Sequence, residues 1–328
     1  MKKLLAVLLS ALMLTGCAAL PGEERSFAVV LGVDCREEKW QAGVRIPTYQ
    51  SGGGYATLTA EGASLGEALA RLNASAPMEL HYGQLRLLVL SNEVAETEPL
   101  QELLHALAER GEVRPQALVC VTEERMQALL DAMKPSTGSR LSKSVEAMAQ
   151  ARQAQGAAPE ATLSALMRMG ERQQPVLLNA GLENGALKLS GGWLTDGKII
   201  REKLTETETQ LLSLMQGRLK QGTLALEGDT LTLLNADCVI RLEGGTARCR
   251  VKLRYGSSTL TEEGVSRAVE AALHKVTGKL ASAGCDALGV GRQAMMACAT
   301  VHEWNGMNWQ EQYPALTWVF EISPEKEA

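Results

Sequence analysis

Three groups of side chains in this 328-residue chain could do chemistry: the cysteines, four histidines, and glycines gathered around one aspartate. Beyond position 17 the cysteines are Cys35, Cys120, Cys238, Cys249, Cys285 and Cys298. None forms Cys-x-x-Cys, and no histidine stands beside one at ligand spacing, so no zinc site is expected. Cys120 lies in the apolar run 117–121, where a buried free thiol is expected. Cys238 and Cys249 fall on two runs that could pair as neighbouring strands, which leaves a disulfide there as the alternative to two free thiols. His105 follows Leu103 and Leu104, and His274 sits between Leu273 and Lys275; with His81 and His302 they make no catalytic spacing. A Gly-x-Ser-x-Gly nucleophile turn is absent from the sequence. Gly289-Val290-Gly291 follows a helical pattern and lacks a third glycine, so the dinucleotide reading fails and a helix stop with a turn is expected. The adjacent acidic pairs Glu23-Glu24, Glu37-Glu38 and Glu262-Glu263 point in different directions and read as solvated. Trp304, Trp309 and Trp318 could form an aromatic platform for a glycan or a partner, with a core role favoured. The chain reads as having no catalytic residues, no cofactor and no metal.

Cys17 has a different setting. Lys2 and Lys3 precede an almost wholly apolar stretch, 4–14, and Leu14-Thr15-Gly16-Cys17 follows at once. Eleven residues at about 1.5 Å rise cannot cross a hydrocarbon core of roughly 30 Å. The segment therefore reads as an export signal rather than a membrane span. Its last four residues resemble a bacterial lipobox, in which the cysteine is acylated and becomes the new amino terminus. Two or more acyl chains give stable anchoring where one is marginal. From Cys17 onward 31 basic residues face 38 acidic ones, so attraction to anionic lipid cannot substitute for the anchor.

Composition bounds the remainder. The chain is 45% hydrophobic and 22% charged, with a net charge of −5; this is globular usage, and the acidic balance disfavours nucleic acid. Apolar runs at 27–33, 40–49, 85–90 and 117–121 read as strands. Helices are expected over 64–72, 99–110 and 123–133, the first with Ser64 and Glu67 as a capping box. Ser51-Gly52-Gly53-Gly54 reads as a flexible connection. The stretch 134–174, rich in Ala, Gln, Ser and Arg, reads as a mobile helical insert or linker. A hairpin then turns at Asp196-Gly197, followed by a helix over 206–219 and strands at 223–226, 230–240 and 246–255. Thr261 caps a long helix to about 282, and 317–322 closes the chain as a strand. The expected class is α+β or mixed α/β, multi-domain, with helices packed on mixed sheets. The expected divisions are a signal peptide (1–16), an N-terminal α/β domain (17–133), the helical insert (134–185) and a C-terminal α/β region (186–328), which two subdomains could share.

Several of these segments, in order, resemble the Ger(x)C family of spore germination lipoproteins, the C subunits of nutrient germinant receptors. Val30-Leu31-Gly32-Val33-Asp34 is similar to the family's opening strand. His81-Tyr82-Gly83-Gln84-Leu85-Arg86-Leu87 is similar to its Tyr-x-x-Leu-Arg strand. Gly191-Gly192-Trp193 with Asp196-Gly197-Lys198, then Glu206-Thr207-Glu208-Thr209, resembles its hairpin and Glu-Thr helix start. Cys285-Asp286-Ala287-Leu288-Gly289-Val290-Gly291-Arg292, with Trp304 and Trp309 beyond, resembles its glycine turn and Trp-containing segment. The chain departs from the family in Cys285, in lacking Phe before the Asp196 turn, and in its Ala/Gln-rich middle. The resemblance implies three α/β domains and a lipid anchor at Cys17 on the outer face of the spore inner membrane. It also implies assembly with two multi-span membrane subunits, and no catalysis. Asp286, Gly289, Gly291 and Arg292 carry over as a structural or interaction motif of unassigned role, with a structural role favoured. A solute- or cell-wall-binding lipoprotein is the alternative reading.

Overall fold

The structure is a computed structural model, describing residues 25–48, 54–108, 113–134, 140–168, 174–226 and 228–327. Cys17 and the apolar segment before it lie outside the described residues. So does most of the expected connection at 51–54, of which only Gly54 is described.

The first half alternates strands and helices. In order come β1 (Arg25–Phe27), β2 (Val30–Arg36), β3 (Lys39–Thr48), β4 (Gly54–Gly62), α1 (Leu65–Ser75), β5 (Glu79–His81), β6 (Leu87–Ser91), α2 (Asn92–Thr97), α3 (Leu100–Ala108), β7 (Leu118–Thr122), α4 (Met126–Ala132), α5 (Leu141–Ala154) and α6 (Leu163–Met167). Then follow β8 (Leu177–Glu183), β9 (Ala186–Thr195), β10 (Ile200–Leu204), α7 (Glu206–Met215), β11 (Gly222–Leu226), β12 (Asp229–Glu243) and β13 (Thr246–Tyr255). The chain ends with α8 (Glu262–Ser282), α9 (Val290–Ala297), α10 (Val301–Met307), α11 (Trp309–Gln312) and β14 (Thr317–Lys326).

Eight strands form one sheet in the order β10-β9-β8-β7-β6-β2-β3-β4. The four central strands are mutually parallel, and the edges are antiparallel hairpins. A parallel strand is covered on both faces, which is why β6 reads as an unbroken apolar run and is buried along its length. Leu88 and Leu90 face the core beneath α1, α2, α3 and α6, while Leu87 and Val89 face the core beneath α4 and α5. Glycine appears where a helix comes too close for a side chain. Gly32 and Gly43 are register partners on β2 and β3; a Cβ on the first would stand 2.0 Å from Met126 Sδ, and on the second 2.8 Å from Leu130 Cδ1. The glycine of the opening strand is thus the seat of α4.

A second sheet, β11-β12-β13-β14, packs on α8. Thr261 caps α8 as expected, its hydroxyl accepting from Gly264 N. Val265, Val269, Leu273, Val276 and Leu280 recur at helical spacing and are buried. At about 1.5–3 kcal/mol for each fully buried side chain, that stripe is the main force holding the helix to the sheet. On β13 the complementary alternation is complete: Ala247, Cys249, Val251, Leu253 and Tyr255 are buried, and Arg248, Arg250, Lys252 and Arg254 are exposed.

Three expectations differ from the structure. The stretch 134–174 is not a free linker: α5 buries Leu141, Val145 and Ala149 against the first sheet, and Val119 N donates to Ala161 O at 2.7 Å. Its polar composition reflects a helix with one narrow apolar stripe. The boundary expected at 185/186 falls in the β8–β9 turn, because β8, β9 and β10 continue the first sheet. Finally, the stop after α8 is Gly284 and not Gly289. Gly284 has φ +60°, and Cys285 N and Gly284 N close back on Leu280 O and Ala281 O, a Schellman arrangement. Gly289, at φ +69°, opens α9 instead.

Candidate functional site

The segment between α8 and α9 builds a buried polar site around one carboxylate. Asp286 is 1% exposed. Its Oδ1 accepts from Val290 N at 2.9 Å, and its Oδ2 accepts from Gly291 N at 2.5 Å and Trp309 Nε1 at 3.1 Å. The carboxylate therefore satisfies two of the amides that α9 leaves open at its start and fixes an indole 23 residues away. Burial pushes the Asp286 carboxyl up from its ordinary range, against the opposing pull of these three N–H donors. Gly291 is required by contact: a Cβ there would lie 2.4 Å from Trp309 Nε1 and 2.9 Å from Asp286 Oδ2.

The Asp286 backbone is equally engaged. Its N–H donates to Gln174 Oε1 at 2.6 Å, and its carbonyl accepts from Gln174 N at 3.2 Å. Gln174 precedes β8, so this two-way contact ties the first sheet to the helical end of the second. Trp309 packs against Trp304 and Tyr313, with ring centroids 6.3 and 5.9 Å apart, and all three are buried. Tyr313 is almost fully buried, and its hydroxyl is pushed well above the ordinary tyrosine range by that burial and by the Asp286 charge.

Beside this knot opens a cleft of about 1080 Å³ between α6, α7 and α10. Its wall carries Arg168, Arg218 and Glu160 with Gln153, Gln216 and Asn305. Arg218 approaches Glu160 at 3.8 Å, and Gln216 is held by the Ala287 carbonyl at 2.8 Å. The cleft offers hydrogen bonds and two exposed guanidinium groups. Nothing on its wall pairs a nucleophile with a base.

A second buried charge orders the other side of the junction. Glu208 is the third residue of α7 and completes a capping box with Thr205. Its carboxylate also meets Lys279 at 3.0 Å and Lys275 at 3.3 Å, both from α8. Burial raises the Glu208 carboxyl, but the Thr205 amide and the two lysines outweigh it and hold the group below its ordinary range.

Of the residues singled out in the sequence, Asp286, Gly289 and Gly291 come together in one knot with Trp309. Arg292, beside it in sequence, is exposed. Trp318 lies apart on β14, half-buried and stacked with Phe320. Gln174 and Tyr313 carried no sequence signal, since their roles depend on contacts far along the chain. Among the described residues no three His, Cys, Asp or Glu side chains gather to hold a metal ion, and no helix is long and apolar enough to cross a membrane.

Comparison with known proteins bears on this architecture. The family model of the spore germination protein N-terminal domain matches residues 21–178. Residues 21–178 are thus a spore germination protein N-terminal domain. In this germination protein the matched region ends within β8, four residues beyond Gln174. The crystal structure of the GerBC protein aligns over 91% of the germination protein and 97% of its own chain, with a TM-score of 0.57 and 13% sequence identity. At that identity the likeness speaks for the fold, including the second sheet beyond the matched domain. No curated protein matches the chain.

Proposed function

We propose that this germination protein is the C subunit of a nutrient germinant receptor. In this reading Cys17 is acylated and holds the body on the outer face of the spore inner membrane. Two multi-span membrane subunits are its partners, and it contributes binding surface rather than catalysis. The observation that carries the proposal is the germination-domain match over residues 21–178. An apolar segment and lipobox-like cysteine immediately before that domain support the anchor. The Asp286 knot has the role of a brace: it fixes α9 and α11 to the first sheet through Gln174, so that the two sheets present one continuous surface to a partner.

The test is co-isolation from spore membranes. The tagged chain, extracted in mild detergent, is expected to bring down two multi-span membrane proteins in fixed proportion. Co-isolation of a permease and an ATPase would favour the solute-binding alternative. A chain recovered alone after cross-linking in intact spores would contradict the receptor reading.

A further inference from the structure

Cys238 and Cys249 form the one close thiol pair among the described cysteines. Their sulfurs are 3.4 Å apart, in van der Waals and hydrogen-bonding contact. Both sit on the face of the second sheet that packs on α8. They are diagonal neighbours, since Cys238 is in register with Val251 and Cys249 with Ile240. The remaining thiols have no sulfur partner: Cys120 donates to Leu88 O and Cys298 to Ala294 O, each at 3.5 Å, and Cys285 is enclosed behind α8. We propose that Cys238 and Cys249 are a modification site, oxidised to a disulfide that links β12 to β13 in the exported protein.

A disulfide needs its sulfurs at about 2.04 Å, so the pair must close from contact distance. Diagonal neighbours on paired strands stand roughly 7–8 Å apart, so closure draws the two strands together as well as rotating the side chains. Cys238 is half-buried and Cys249 fully buried, which assigns the order of events. Cys238 meets the oxidant, a disulfide carried by an extracytoplasmic oxidoreductase or a small thiol. Its thiolate attacks one sulfur of that disulfide, forming a mixed disulfide and releasing the first thiol. Cys249 then attacks Cys238 Sγ, its proton passes to the departing thiolate, and the second thiol leaves. Two thiols lose two protons and two electrons, and the oxidant's disulfide takes both. The hydrogen bond from Cys249 favours the Cys238 thiolate and holds that group below the ordinary thiol range, while the same bond and burial push Cys249 up. Once Cys238 is in the mixed disulfide, the neighbouring negative charge is gone and Cys249 is freed to ionise.

What the bond would do follows from its position. It closes a hairpin loop of only ten residues, so unfolded-chain entropy gives it a modest effect on stability. Its main effect is to pin the register of β12 and β13 beyond the irregularity at Leu233 and Asn235. It would therefore hold the exposed row Arg248, Arg250, Lys252 and Arg254 in one arrangement.

The test uses the full chain taken from spores broken in N-ethylmaleimide without reductant, then digested with trypsin and weighed. The expected product is the Cys238 peptide joined to Cys249-Arg250, two hydrogens lighter than the free pair and carrying no maleimide. Half-buried Cys35 and Cys298 should be alkylated in the same sample. Purified reduced chain treated with glutathione disulfide should give the same link, and Cys238→Ser should leave Cys249 unmodified. Alkylation of Cys238, or a free Cys249 thiol in the digest, in the spore sample overturns the proposal. The glutathione arm then locates the failure: a link formed there contradicts the oxidising location, and a lone glutathione adduct on Cys238, or none, contradicts the geometry.

Discussion

Replacing Asp286 should loosen the junction between the two sheets by an amount that can be worked from its contacts. Asp286→Ala leaves three buried N–H donors, those of Val290, Gly291 and Trp309, without an acceptor. Each unpaired donor costs about 1–3 kcal/mol. Against that, the variant no longer buries a carboxylate, and this offset brings the net loss to about 2–4 kcal/mol. At roughly 2–4 °C per kcal/mol for a chain of this order of size, Tm should fall by about 4–16 °C. Asp286→Asn is the sharper variant. It keeps the volume and one acceptor for Val290, but turns an amide NH₂ toward Gly291 N and Trp309 Nε1, donor against donor. If acceptor capacity is what holds the knot, Asn should be about as damaging as Ala. Scanning calorimetry with tryptophan fluorescence reads both variants, since Trp309 reports the site directly. A Tm for Asp286→Asn within about 2 °C of the parent would show that Asp286 merely fills space, and would sink the brace.

Other outcomes follow from the same contacts. Gly291→Ala should cost about 1–3 kcal/mol by overpacking against Trp309, whereas Gly181→Ala, with nothing within 4 Å of its Cβ, should not be destabilised by contact; equal melting points would refute the close-approach argument. Gly32→Ala should be destabilising and partly rescued by Met126→Ala, because the clash is with that flexible side chain; a double-mutant cycle by chemical denaturation checks the coupling. Glu208 titrates below its ordinary value in the fold, so it adds stability above its unfolded pKa that is lost as pH falls through the lower folded one. Denaturation from pH 7 down to about 3 should therefore show a smaller acid loss in Glu208→Gln than in the parent, and parallel curves would contradict the assignment. Cys17→Ala should leave a folded body that no longer sediments with membrane in detergent-free extracts; unchanged sedimentation would contradict anchoring by lipid alone.

Much of the fold was legible because it rests on local rules. Thr261 followed by two glutamates marks the start of α8, and the strict alternation of 246–255 marks β13. The parallel strands β2, β6 and β7 announced themselves as apolar runs, since both faces are covered, whereas β8, interrupted by Asn179 and Gly181, did not. What the sequence hid has a common cause in long-range contact. Strand β4 surrounds a single Leu58 with Ala56, Thr57, Thr59 and Ala60 at an edge of the sheet beside α1, a weak apolar signal in the sequence. Helix α5 looks solvated until its stripe of Leu141, Val145 and Ala149 meets the sheet. Gly289 resembled a helix stop because glycine serves both ends of helices; only Asp286 reaching forward to Val290 and Gly291 shows that it opens one. The partner that completes the knot, Gln174, is 112 residues away from Asp286, and no spacing rule connects them.

The central claim is that this chain serves nutrient sensing during germination. The direct measurement is dipicolinate release from spores in which the other nutrient-receptor genes have been deleted, with this gene present or absent. Calcium dipicolinate, which bypasses nutrient receptors, serves as the control. The account predicts that deletion abolishes the nutrient response, leaves the bypass intact, and is reversed by the wild-type gene. Release at the parental rate for every nutrient, in spores lacking the gene, would contradict it.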